Sequence, residues 1–194
     1  MKTVVLALFA ALALFAGTAS AQQRIDQSLP VSADGVVDIY NPSGSVRVVG
    51  WTNNEVRVTG MLGEGVKRMY FTGDSVRAEI RVVVPKNVRD VRESDLEVRV
   101  PKGSRVMVKA FRSDIEVSKV TGDLDLNSVS GDLRVSDNPR EVVVNAVSGD
   151  VDLSISSSRV RGRTVSGKIR LRGTPGDVEV YTVNGEVRVE GGPL

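Results

Sequence analysis

Val129-Ser130-Gly131-Asp132-Leu133-Arg134-Val135 and Val147-Ser148-Gly149-Asp150-Val151-Asp152-Leu153 are the same sentence written twice, 18 residues apart. Val165-Ser166-Gly167-Lys168 and Val183-Asn184-Gly185-Glu186 continue the series. Related units fall halfway between, at Val120-Thr121-Gly122-Asp123 and Thr174-Pro175-Gly176-Asp177, with degenerate ones around Arg140 and Ser158. The chain therefore counts in nines without insertion from Phe111 to Gly191, and a fixed short period marks a repeat architecture.

Each unit carries two apolar residues spaced by two, such as Leu124 and Leu126, Leu133 and Val135, or Val151 and Leu153. That spacing puts both side chains on one face of a strand. Most are β-branched, which suits a pleated, half-buried surface. The residue between them points outward, and glycine supplies the corner. Val160 is followed two residues on by Gly162, which predicts a weak layer there.

The predicted fold class is all-β. Two arrangements fit the count. Two units can form one 18-residue coil of a β-solenoid, parallel and β-helix-like, with two short strands per coil. Alternatively the units run as an antiparallel meander or barrel. Charge favours the solenoid. Stacking i on i+18 gives an outward column Glu116, Arg134, Asp152, Arg170, Arg188 in which three of four successive pairs are opposite in sign. It also stacks Ser130, Ser148, Ser166 and Asn184 as a polar ladder at one corner.

Outward from the array, Ser104 onward begins the regular count, giving a repeat region of about 104–191. Before it, Val36 to Tyr40 reads as the first strand and Asn41-Pro42-Ser43-Gly44 as a turn. Ser45 to Val48 and Glu55 to Val58 repeat the unit at a looser count. A short strand is expected at Met69 to Phe71, and the longest strand at Ser75 to Val84. Residues 22–35 read as an irregular lead-in, and Pro85 to Asp95 as a surface loop. At the far end, Pro193 would blunt an exposed edge.

Residues 1–21 have the anatomy of a secretory signal peptide: Lys2, an apolar run from Val4 to Ala16, and an Ala19-Ser20-Ala21 cleavage site. The apolar run is shorter than the roughly 20 residues a membrane span needs, so no stable span is expected after cleavage. The domain organisation is thus a leader of 1–21 and a single solenoid domain of 22–194. Localisation follows as exported: periplasmic, cell-surface or extracellular.

Composition removes several chemistries. The chain has no Cys and no His. Disulfides, thiolate metal sites and a lipidated Cys are excluded, as are a Ser-His-Asp triad and His-ligated metals. Without Lys2, basic residues fall from 26 to 25 against 24 acidic ones, so the charge is close to balanced. No basic run is present that would track a phosphate backbone, and with one Trp no aromatic platform for single strands is visible; nucleic acid is not an expected partner.

The grammar resembles a bacterial family of unknown function described as adhesins, whose members are β-solenoids built from V-S-G-D-V-x-V units. Asn41 to Val48, Gly50-Trp51 with Glu55-Val56, Leu96 to Gly103 and the VSG units from 129 to 185 carry the likeness. The resemblance implies an exported envelope or surface protein and supplies no catalytic residues. Some relatives are similar to products of envelope-stress operons, which implies sensing as an alternative to adhesion.

Candidate sites follow from the columns. Asp114, Asp132 and Asp150 would stack at about 4.8 Å, where like charges repel and either fan into water or hold a cation. The calcium nonapeptide motif itself is absent, because Asp132 and Asp150 lie one residue before their aliphatic neighbours rather than two. Asp123, Asp125, Asp150 and Asp152 are the only basis for a carboxylate-dependent polysaccharide-acting enzyme, and they read better as turn and outward strand residues. The expected reading is therefore a non-catalytic recognition or scaffold module without a cofactor. Its candidate binding face comprises Asn145, Arg161, Arg163 and Tyr181, from the columns Asp125, Val143, Arg161, Glu179 and Asn127, Asn145, Arg163, Tyr181. A cell-surface glycan or an envelope protein is the expected partner. Intact mass of the exported protein is expected to match Gln22–Leu194; a mass retaining residues 1–21 would refute the cleavage.

Overall fold

The computed structural model describes residues 23–85, 92–173 and 176–191. The signal peptide expected at 1–21, the middle of the loop expected at 85–95, the start of the unit expected at Thr174-Pro175, and Pro193 lie outside these residues. No helix occurs among them, and none is long and apolar enough to cross a membrane. Fifteen strands form one continuous sheet: β1 Gln23–Pro30, β2 Val36–Trp51, β3 Glu55–Leu62, β4 Arg68–Gly73, β5 Arg77–Val83, β6 Ser94–Pro101, β7 Arg105–Ser118, β8 Asp123–Ser130, β9 Leu133–Asp137, β10 Glu141–Ser148, β11 Val151–Ile155, β12 Arg159–Ser166, β13 Ile169–Gly173, β14 Asp177–Asn184 and β15 Val187–Gly191.

The array is solenoid-like. β8, β10, β12 and β14 stack in parallel on the first half of β7, while β9, β11, β13 and β15 stack on its second half. Every register is i to i+18, as in Leu124 with Val142 and Leu133 with Val151. The antiparallel meander or barrel is thereby excluded for the array. Among the described residues, antiparallel pairs occur only where β1 meets β3, β3 meets β6 and β4 meets β5.

The inward residues form stacked apolar columns. Val106, Leu124, Val142 and Val160 lie in one, and Ile115, Leu133, Val151 and Ile169 in another. All eight are buried, each worth roughly 1.5–3 kcal/mol by removal from water. At Gly162 the expected gap is occupied by neighbours. A Cβ built there would lie 3.2 Å from Val180 Cγ1 and 3.8 Å from Ile169 Cδ1. Burial fades only at the last strands: Val187 and Val189 are exposed, whereas Ile169 and Leu171 beneath them are fully buried.

Four expectations for residues before the array need correction. Residues 23–30 are not irregular but form β1, hydrogen-bonded along β3 from Gln23 with Leu62 to Pro30 with Glu55. The Asn41 to Gly44 turn is a bend inside one 16-residue strand, β2, with Gly44 at φ 117°. That makes β2, not the Ser75 to Val84 segment, the longest strand; the latter holds the seven-residue β5. Finally, the early units do not simply precede the array at a looser count. β2 pairs in parallel with β7 on one side and with β5 and β6 on the other, so residues 52–104 fold back over its far edge.

The registers can be tested directly. Arg134 and Asp152 are paired outward residues on β9 and β11, and parallel neighbours about 4.8 Å apart are within disulfide reach. Arg134→Cys with Asp152→Cys is expected to crosslink fully under mild oxidation in this cysteine-free chain. In a meander the two positions would lie two strands apart, and no bridge would form.

Candidate recognition face

The outer surface of the β8, β10, β12 and β14 stack carries the two predicted columns as adjacent rows. Asp125, Val143, Arg161 and Glu179 are in register, as are Asn127, Asn145, Arg163 and Tyr181. The structure thus brings Asn145, Arg161, Arg163 and Tyr181 onto one exposed face. Arg163 Nη2 lies 3.2 Å from Glu179 Oε1, and Arg161 lies 3.4 Å from Glu141 and 3.8 Å from Glu179. Asn145 Nδ2 donates to Asn127 Oδ1 at 3.1 Å, and Asn127 Nδ2 donates to Asp125 Oδ1 at 2.7 Å. These contacts tie the planar donor groups to one another across the face. Tyr181 stands 59% exposed beyond them.

Sequence reasoning missed how far the second row runs. Beyond Asn127 it continues through Lys109, Tyr40, Arg81 and Tyr70, each paired with the next across β7, β2, β5 and β4. The chain has three tyrosines, and all three stand in this single row, exposed. The Arg81 guanidinium sits 5.9 Å from the Tyr40 ring centroid, within cation–π range. Around Tyr40, Arg81 and Lys109 the surface dips into a depression of about 410 Å³. A further row was also missed. Phe111, Val129, Val147, Val165 and Val183, two residues beyond the tyrosine row on the same strands, are exposed and make an apolar border. Their regular spacing was visible in the sequence, but as turn grammar rather than as surface.

The aspartate stack behaves differently from either expectation. Asp114 Oδ1 accepts from the Asp132 backbone N–H at 2.9 Å, Asp132 Oδ1 from Asp150 N–H at 3.1 Å, and Asp150 Oδ1 from Lys168 N–H at 3.0 Å. Each carboxylate therefore caps the corner of the next coil instead of fanning into water. Among the described residues no group of three or more His, Cys, Asp or Glu is placed to hold a metal.

The carboxylates considered for catalysis are likewise engaged. Asp123 accepts from Arg140 at 2.8 and 2.6 Å, and the Arg140 guanidinium holds its carboxyl below the usual carboxylate range. Asp125 is bound by Asn127, and Asp152 by Arg170 at 3.2 Å. Asp152 is on β11, whereas Asp123 and Asp125 are on β8 in the other stack, so the pairs do not converge on one substrate position.

If the stacked aspartates are caps, a neutral acceptor should replace them. Asp132→Ala is expected to lower stability by about 1 kcal/mol in urea melts, and Asp132→Asn by much less. Equal losses for both would mean that the charge, not the acceptor, matters.

With this geometry in view, comparison places the chain among known proteins. The Toastrack DUF4097 family model matches residues 36–173. Two solved structures share the fold. A candidate cell-adhesion protein from Clostridium sporogenes is 8% identical over 88% of this chain and 100% of its own, with a TM-score of 0.54. A candidate adhesin from Bacteroides fragilis is 11% identical over 89% and 98%, with a TM-score of 0.53. No curated protein matches the chain.

Proposed function

The chain belongs to the Toastrack DUF4097 family, and on that footing we propose that it is an exported, non-catalytic, adhesin-like module that recognises an envelope or cell-surface partner. Each 18-residue pair of strands acts as one coil of a rigid solenoid, and cleavage after Ala21 releases residues 22–194 as a single domain. The observation that carries the reading is the outward row ending in Asn145, Arg163 and Tyr181. It offers in-register amides, a guanidinium and an exposed phenol, bordered by an apolar ridge. Such a surface binds by complementarity and needs no reacting group. The fold of the two adhesin-like structures agrees with a surface role.

Arg163→Ala combined with Tyr181→Ala is expected to reduce capture of envelope material by the immobilised protein while leaving the thermal melt unchanged, because both side chains point outward. Equal capture by parent and variant would clear this end of the face of any role. Turnover of a polysaccharide by the parent would overturn the non-catalytic reading.

A further inference from the structure

Tyr70, Arg81, Tyr40 and Lys109 occupy four successive rungs at the opposite end of the same row. We infer that this segment is a saccharide subsite, taking one stretch of an extended acidic polysaccharide laid along the solenoid axis; the inference rests on the recognition reading above.

Three observations carry it. The first is aromatic placement. Tyr40 and Tyr70 are 42% and 43% exposed, although each would be cheaper to bury, and Arg81 lies between them in the register. A pyranose ring has an apolar C–H face and a rim of hydroxyls, so it suits an aromatic face with charged hydrogen-bonding groups beside it.

The second is the lining of the depression. Asp38 accepts from Arg77 Nε at 2.6 Å, and Glu79 accepts from Arg81 Nε at 2.9 Å. These charges are mutually satisfied, leaving fixed acceptors and donors for hydroxyls. Lys109 has no ion pair among the described residues. It is the one unneutralised charge in the lining and selects a carboxylate or sulfate on the sugar. A protein partner would instead favour a desolvated apolar pocket for an anchor residue, and this lining is mainly charged.

The third is pitch. Successive rungs are about 4.8 Å apart, close to the length that one sugar unit adds to an extended chain. Identical spacing then continues through Asn127 and Asn145 to Arg163 and Tyr181. A polymer seated at Tyr40 runs on toward the other end without changing direction.

The test is affinity electrophoresis of the exported protein through gels containing polygalacturonate, hyaluronate or neutral dextran. Retardation is expected in the acidic polymers and is expected to fade with added salt. Tyr40→Ala should weaken it by at least about tenfold, Tyr40→Phe should preserve it, and Lys109→Gln should remove the preference over dextran. Thermal melts establish that each variant is folded. No retardation in any polymer overturns the inference, as does equal retardation in dextran, or acidic-polymer binding that survives both Tyr40→Ala and Lys109→Gln. Capture of proteins alone from an envelope extract, with no polymer retarded, also overturns it in favour of a protein partner. Polymer binding lost in Tyr40→Ala yet intact in the Arg163→Ala, Tyr181→Ala double variant supports this subsite while removing the opposite end from the recognition reading.

Discussion

At one corner the backbones of successive coils approach so closely that no side chain fits between them. A Cβ on Gly131 would lie 2.4 Å from Ser113 O, on Gly149 2.2 Å from Gly131 O, and on Gly167 2.1 Å from Gly149 O. All three glycines also sit at φ between 121° and 144°, where side chains are strained. Glycine at this point is therefore required twice over, by space and by conformation. A slip of one residue would put a serine, an aspartate or a lysine into the contact and turn each core residue outward. The corner fixes the register of 18, and every column of the array from β7 to β15 inherits it.

Fixed register converts sequence spacing into surface chemistry. The aspartates Asp114, Asp132 and Asp150 at this corner would repel if they merely stacked. Offset toward the following coil, each finds a backbone N–H, and the repulsion expected from charge counting gives way to a ladder of side-chain to backbone hydrogen bonds. The column Glu116, Arg134, Asp152, Arg170, Arg188 shows the limit of the same reasoning. Arg170 does reach Asp152, but Arg134 turns to Asp132, in the corner just before its own strand, at 3.1 Å. Opposite charges in adjacent rungs permit a bridge; local side-chain geometry chooses among the partners available, and exposed pairs differ little in energy.

How much was legible depended on whether the period was local. From Val106 to Val189 the columns could be written out from the sequence, because every contact obeys one offset. Asn145, Arg161, Arg163 and Tyr181 were found for that reason. Tyr40, Arg81 and Tyr70 were not, because their pairings with one another and with Lys109 follow offsets set by residues 52–104, which have no period. The strand at Val36 to Tyr40 was legible, but nothing in a strand's own sequence says which strand lies beside it. The first strand illustrates the same limit. Residues 23–30 lack apolar alternation, yet β1 forms because β3 presents a hydrogen-bonding edge, a tertiary condition that overrides weak propensity.

That non-periodic insertion also decides where a binding face can be stiff. β2 is flanked by β7 on one side and by β5 and β6 on the other, so its amides are engaged and its core residues Val37, Ile39, Val46 and Val48 are buried. Tyr40 stands on this doubly supported strand. Tyr181 stands on β14, which among the described residues has a strand neighbour only on the β12 side, and whose inward Val178 and Val180 are only partly covered. Local opening is easiest where apolar contacts are fewest. The platform under Tyr181 is therefore less supported by packing than the one under Tyr40, and pre-organisation of the surface favours Tyr40. The row is chemically continuous but mechanically graded: its rigid end was built by the part of the chain whose pairing could not be read from the repeat.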